Sequence, residues 1–143
     1  DEWMRDNHLL DPAATRAGDL ASSKEVRVRK LFSVQSGEPL KRALALIEAH
    51  DVSQLPVFRG AEVVGTLEEG EVLRTALSDP SALEKPVDAV MGPALPVVDA
   101  HEPADAIAKL LAARNPAVLV RENGAVQAIL TRFDMLQFIA GGE

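Results

Sequence analysis

The chain has no cysteine and no tyrosine. Without thiols it has no disulfides, no cysteine nucleophile and no thiolate-held zinc. Aromatics are equally scarce: Trp3, Phe32, Phe58, Phe133 and Phe138 are the whole set. Any core must therefore be built from Val, Leu, Ile and Ala, which suit close helix–sheet contacts. The three histidines, His8, His50 and His101, stand in unrelated contexts with no metal-ligand spacing. His50 closes a helical pattern, where a cation interacts favourably with the helix dipole. No Walker loop, G-x-G-x-x-G, nucleophile elbow or H-E-x-x-H occurs, so neither a catalytic nor a metal-ligating residue is assigned. No apolar run nears the roughly 20 residues a bilayer requires, and no basic-then-apolar leader opens the chain. No membrane partner and a cytoplasmic location are expected. Lys plus Arg number 15 against 22 Asp plus Glu, and the net charge of −7 offers no broad basic field to nucleic acid. The one basic run, Lys24 to Lys30 (KEVRVRK), alternates as an exposed strand or arm does. The opening DEWMRDNHLL has no initiator Met, and the chain is expected to be a domain trimmed from a longer protein.

What is present is a packed core and a duplication. Hydrophobic residues make up 47% of the 143 residues, which sets the chain apart from a disordered tail. Two helical patterns begin with Glu-Pro: GEPLKRALALIEAH from Gly37 and, 64 residues further on, HEPADAIAKLLAAR from His101. Pro39 and Pro103 suit a first helical turn. Leu40, Ala43, Leu44 and Ile47 form one apolar face, and Ala106, Ile107, Leu110 and Leu111 form the other. LPVFRGAEVVGTL (Leu55 to Leu67) and AVLVRENGAVQAIL (Ala117 to Leu130) each read as strand, turn, strand, with Asn123-Gly124 a strong hairpin signal. Each hairpin runs into a helix, Glu68 to Leu77 and Thr131 to Ala140. Leu67 then matches Leu130 at an offset of 63, so one residue is lost between helix and hairpin. Short strands near Leu31 to Val34 and Leu95 to Val98 precede the first helices. Each repeat is thus β-α-β-β-α, an α/β (α+β) fold, marginal alone, and the pair is expected to fold as one unit. Residues 38 to 50 should superpose on 102 to 114, and 55 to 77 on 118 to 140. The expected organisation is 1–22 as a helical linker (Glu2 to Leu10, then a second short helix in DPAATRAGDLA), 23–80 as the first repeat and 81–143 as the second. The turn-rich connector from Ser78 to Pro93 has room for a short helix around Val87 to Val90.

The sharpest local signal is T-R-F-D, Thr131 to Asp134, where the last strand meets the last helix. One reading is structural: Thr131 is the N-cap and Asp134, three residues on, completes a capping box. The other uses the same geometry chemically. A helix start offers free N–H groups and the positive dipole end to a phosphate, and a carboxylate there accepts hydrogen bonds from both hydroxyls of a ribose. Ile129 shares a strand face with Thr131 and would support an adenine ring. The first repeat carries E-E-G-E, Glu68 to Glu71, at the matching place. Two carboxylates repel a phosphate and Glu is a poor cap, so the repeats are expected to share a fold but not a working site.

The ordered set P-L/A-x-x-A/I, V-S-Q-L-P-V-F, G-x-V-V-G-T-L and A-I-L-T-R-F-D-M-L resembles a pair of CBS domains, a Bateman module, over roughly residues 24 to 140. The lead DEWMRDNHLLDP is similar to the linker after the catalytic domain of pyridoxal-phosphate-dependent cystathionine β-synthases. The resemblance implies two domains packed sheet to sheet with pseudo-twofold symmetry, binding AMP, ADP, ATP or S-adenosylmethionine in clefts. It implies Asp134 on the ribose, Thr131 at sugar or phosphate, Arg132 at a phosphate, and Ile129 and Phe133 lining the pocket. Val52, Ser53 and Phe32 would come from the first repeat. Ala128 stands where the family often has Gly. It further implies a non-catalytic regulatory fragment, an attached N-terminal catalytic domain holding any pyridoxal phosphate, and a homodimer served by Phe133, Leu136, Phe138 and Ile139. The alternative is a structural or oligomerising module with no ligand.

Overall fold

The computed structural model describes residues 15–23 and 31–141. The expected helix at Glu2 to Leu10 and the strand at Lys24 to Lys30 lie outside the described residues. The elements in order are α1 (Ala17–Ala21), β1 (Val34–Gln35), α2 (Leu40–His50), β2 (Gln54–Arg59), β3 (Glu62–Glu68), α3 (Glu69–Ser78), 3-10 turns at Pro80–Glu84 and Val87–Ala89, β4 (Val97–Asp99), α4 (Ala104–Ala112), β5 (Ala117–Glu122), β6 (Ala125–Thr131) and α5 (Arg132–Gly141). They form two compact units. One is Phe32–Leu95; the other joins Asp1–Leu31 to Pro96–Glu143.

Each unit holds its own three-stranded sheet, β1-β2-β3 in one and β4-β5-β6 in the other. The first two strands of each sheet are parallel, and a parallel pair needs a crossover, supplied here by α2 and α4. The last two strands are antiparallel hairpins. Asn123 (φ 55°) and Gly124 (φ 79°) both take the left-handed backbone that a tight two-residue hairpin turn requires.

The duplication extends to the hydrogen-bond register. Val34 pairs with Val57 as Val98 pairs with Val120, an offset of 64 on the first strand and 63 on the second. Both hairpins carry a bulge at the same place, between Val57 and Phe58 and between Val120 and Arg121. The lost residue falls where α2 and α4 end. α2 runs 11 residues to a left-handed Asp51 (φ 51°), whereas α4 runs 9 and leaves through Ala113. The left-handed residue there is Arg114, at φ 78°.

Two details differ from the sequence pattern. Pro39 and Pro103 are N-caps in extended conformation (ψ 148° and 149°), one residue before the first helical position. The leading strands are shorter than the apolar runs suggest. β1 pairs only at Val34 and Gln35, while Phe32 stacks on His50. Leu95 instead donates its N–H to Thr66 Oγ1 at 3.1 Å.

The cores are aliphatic, as the aromatic scarcity demands. One gathers Val34, Leu40, Ala43, Ile47, Leu55, Val57, Leu67 and Val72. The other gathers Val98, Ile107, Leu111, Val118, Val120 and Leu130, with Ala17 and Leu20 of α1 among them. A wholly buried leucine contributes about 1.5–3 kcal/mol relative to an exposed one, so these residues hold the units together.

Each unit is completed by a segment from elsewhere in the chain. Leu40 donates its N–H to Lys85 O, and Val87 donates to Glu38 O, both at 2.8 Å. In the other unit Ala104 donates to Thr15 O and Ala17 to Glu102 O, both at 2.7 Å. The bridges Pro39 to Pro86 and Arg16 to Pro103 match in the same way. The segment that precedes the second repeat in sequence therefore docks on the first, and the segment that precedes the first docks on the second.

Candidate functional site

The strand-to-helix junction of the second repeat is a reciprocal cap. Asp134 N–H donates to Thr131 Oγ1 at 3.2 Å, and Asp134 Oδ2 accepts from Thr131 N–H at 2.8 Å and from the Thr131 hydroxyl at 3.2 Å. Asp134 is only 7% exposed although it is charged. The carboxylate is thus fixed on the first turn of α5, beside a helix start where negative charge is favoured. Ile129, two residues back on the same strand face, is half-buried, and Phe133 is 64% exposed on the outer side of α5. Arg132 does not project freely: one guanidinium nitrogen donates to Leu111 O, at the end of α4, at 2.7 Å. This contact ties the start of α5 to the end of α4. A guanidinium carries five N–H donors, so a single carbonyl occupies part of its capacity.

The first repeat builds the same junction without the cap. Glu68 stands at the N-cap position of α3 with no side-chain capping hydrogen bond. Glu71 pairs with Arg74 on the helix surface instead of reaching back to the strand end. Glu69 N–H is taken up by Ser53 O at 2.9 Å. The two repeats therefore share a backbone and differ in chemistry at this point, and the source is the pair Glu68 and Glu71 in place of Thr131 and Asp134.

The remaining predicted site residues lie in the Phe32–Leu95 unit. Val52 is half-buried against the first-repeat core, and Ser53 is exposed. The Phe32 ring stacks on the His50 imidazole with centroids 3.9 Å apart and planes at 16°. His50 thus sits at a helix C-terminus with an aromatic face against it, a contact that sequence spacing did not reveal. Ala128, buried in the second-repeat core, matches Gly65 in the first. A Cβ at Gly65 would run into the Met91 Sδ and Cγ atoms and lie 3.0 Å from Gly92 O, so a side chain is opposed there, whereas position 128 carries one.

Two further features have no sequence signal. Asp88 accepts from the Ser36 hydroxyl at 2.5 Å and from Gly37 N–H at 2.7 Å. Those two bonds, the hydroxyl first, hold its carboxyl below the usual carboxylate range. Asp99 accepts from Arg121 Nε at 3.2 Å. An open groove of about 690 Å³ runs beside α1 and the β5–β6 turn, with Arg16, Asp19, Asp99, His101 and Arg121 in its lining. Thr131 and Asp134 are not part of it. Two of the carboxylates that line it are already engaged, Asp19 by Arg16 N–H at 2.8 Å and Asp99 by Arg121, and Glu122 lines it as well. Among the described residues no three His, Cys, Asp or Glu side chains gather as for a metal ion, and no helix is long and apolar enough to cross a membrane.

Solved structures share this fold. The CBS domain of a bacterial CNNM/CorC family Mg2+ transporter in complex with ATP is 20% identical, with a TM-score of 0.76 over 99% of this chain and 99% of that one. CBSX2 in complex with AMP is 23% identical, with a TM-score of 0.69 over 89% of this chain and 97% of that one. A CBS domain-containing protein of unknown function from Bacillus anthracis is 23% identical, with a TM-score of 0.71 over 88% and 93%. The CBS domain model matches twice, over residues 23–78 and 87–141, the two halves of the duplication read from the register. The chain belongs to the CBS domain family and carries two copies of the domain in tandem.

Proposed function

We propose that the chain is a regulatory module whose second repeat binds an adenosyl ligand, AMP, ADP, ATP or S-adenosylmethionine, and that occupancy controls an attached or partner enzyme. The observation that carries this reading is the asymmetry of the two junctions. Thr131 and Asp134 form a fixed hydroxyl–carboxylate pair at a helix start, whereas Glu68 and Glu71 leave the matching place doubly acidic. A carboxylate accepts up to about four hydrogen bonds, so one carboxylate can serve both a cap and a ribose hydroxyl. Arg132 lies next to this pair and supplies a cation for a phosphate. Relatives of the same fold have been solved with ATP and with AMP, which supports the ligand class. Ile129 and Phe133 complete the proposed set of contacts in the second repeat. No residue of the chain is given a catalytic role.

Calorimetric titration with AMP, ATP and S-adenosylmethionine tests the proposal. One strong site per chain is expected, because Glu68 and Glu71 repel a phosphate at the first-repeat junction. Two equal nucleotide sites would overturn the reading of those carboxylates, and no binding of any of the three ligands would leave the purely structural module as the better account. Phe32→Ala and Ser53→Ala in the same titration show whether the first repeat contributes.

The setting is part of the same proposal. The resemblance of DEWMRDNHLLDP to a cystathionine β-synthase linker supports an N-terminal catalytic domain of that kind, cytoplasmic, with any pyridoxal phosphate held there and not in this chain. A homodimer is supported by apolar side chains left in solvent on the last helix of each repeat: Leu73 (51% exposed) and Leu77 in α3, and Phe133, Leu136 (65%) and Ile139 in α5. Leu73 and Leu136 are equivalent in the duplication, and a repeated apolar patch suits a self-complementary contact. Phe138 faces the core instead and is removed from that surface. Leu136→Glu should shift sedimentation from dimer to monomer. A parent chain that is monomeric at 100 micromolar (on the order of a weak dimer's dissociation constant) would dismiss the dimer.

A further inference from the structure

The exchanged segments have a consequence for how a signal leaves the module. α1 belongs to the second repeat's core: Ala17 is fully buried and Leu20 is 2% exposed, in one cluster with Ala128 and Leu130 of β6, and Met135 and Phe138 of α5 pack on that cluster. α1 touches both β6 and α5 directly. These are the two elements that meet at Thr131 and Asp134. The segment is also held by backbone bonds at both ends of the β4–α4 turn: Gly18 N–H to Ala100 O, Ala17 N–H to Glu102 O and Ala104 N–H to Thr15 O, each 2.7 Å. The approach is close. A Cβ at Gly18 would stand 3.1 Å from both Ala100 Cβ and Ala100 O. The first repeat has the counterpart in Lys85 to Met91, but there Asp88 stands in the place of Gly18 and bonds through its side chain to Ser36 and Gly37. The second-repeat contact uses the three backbone bonds and the buried side chains of Ala17 and Leu20.

We propose that Thr15–Ser23 is the transmission element of the second repeat: it shares one packed cluster with Leu130 and Met135, which flank the Thr131–Asp134 junction, so a change of state at either is felt at the other. Residues 15–23 are thereby coupled to the second repeat, although the first repeat is the one that follows them in sequence. Coupling of this kind is reciprocal: what stabilises the junction stabilises the docked segment, and the reverse. The proposal rests on the adenosyl reading only for the identity of the ligand; the packing coupling stands without it.

Hydrogen exchange on the full chain tests it. Leu20→Ala should speed exchange of amides in 125–138 by about tenfold or more and leave 54–68 within about twofold of the parent. Val87→Ala should do the opposite. Gly18→Ala, which shifts the contact by tenths of an ångström, is the milder variant if Leu20→Ala does not fold. Equal effects of the Leu20 or Gly18 variant on both segments, or none on 125–138, would overturn the proposal. With the parent chain, whichever of AMP, ATP or S-adenosylmethionine binds by calorimetry should slow exchange in 15–23 by about threefold or more. Binding with 15–23 unchanged also overturns it. If none of the three binds, the adenosyl reading fails by itself and the variants still decide the coupling.

Discussion

Asp134→Asn separates the cap this carboxylate forms from the ribose contact proposed for it. In the structure Oδ2 accepts from Thr131 N–H at 2.8 Å and from the hydroxyl at 3.2 Å. Asparagine keeps an oxygen in place but loses the charge. A hydrogen bond to a charged group is worth about 1.5–3 kcal/mol and a neutral one about 0.5–1.5, so the cap weakens by about 1 kcal/mol. Loss of the charge–dipole interaction at the helix start adds about 0.3–1 kcal/mol. A total of about 1–2 kcal/mol corresponds to a Tm lower by about 4–8 °C for a chain of this size. If the proposed ribose contact holds, ligand affinity should fall further, by at least about tenfold, because both proposed bonds would lose their charge assistance. Thr131→Ser keeps the cap oxygen and should be nearly neutral, while Thr131→Ala removes it and should cost about 0.5–2 kcal/mol. The assays are scanning calorimetry for stability and titration for affinity on the same samples. A lowered Tm with unchanged affinity would reduce Asp134 to a helix cap. An unchanged Tm would refute the capping account itself.

Two other perturbations follow from the first repeat. Asp88 has its carboxyl depressed by Ser36 and Gly37, so its stabilisation is present above the unfolded-state value near pH 4 and is lost as pH falls through the folded one. Asp88→Asn should therefore lower the urea midpoint at pH 7, and its gap from the parent should close below about pH 4; a gap constant from pH 7 to pH 3 would contradict this. Gly65→Ala should destabilise by about 1–3 kcal/mol, because the new methyl meets Met91 and Gly92 O. The reverse change at the equivalent place, Ala128→Gly, should cost about 1 kcal/mol and cause no clash; equal stability of Gly65→Ala and parent would show that Met91 swings away freely.

The sequence made the repeats legible because two independent periodicities coincide: Glu-Pro at a helix start, then alternating strands around a Gly turn. Even the one-residue deletion was legible, since Leu67 and Leu130 match at 63 where Pro39 and Pro103 match at 64. The Thr131–Asp134 cap was legible because its three-residue spacing is the spacing of one helical turn. What stayed hidden depends on contacts between distant segments. Nothing in TRAGDLA says that Ala17 and Leu20 enter the core of a repeat whose first core residue is Val98. The same holds for Asp88, whose partners Ser36 and Gly37 lie 52 and 51 residues back. The engagement of Arg132 by Leu111 O is likewise a long-range contact, between two helix ends that the sequence describes separately.

The central claim is that an adenosyl ligand binds at the second-repeat junction and not at the first. Amide chemical shifts of the full chain during titration with AMP, ATP or S-adenosylmethionine test it residue by residue. The account predicts saturable shifts at Ile129 to Asp134 for at least one of the three, with Glu68 to Glu71 unmoved. Shifts at Glu68 to Glu71 alone, or none at either junction with any of the ligands at millimolar concentration, would contradict it.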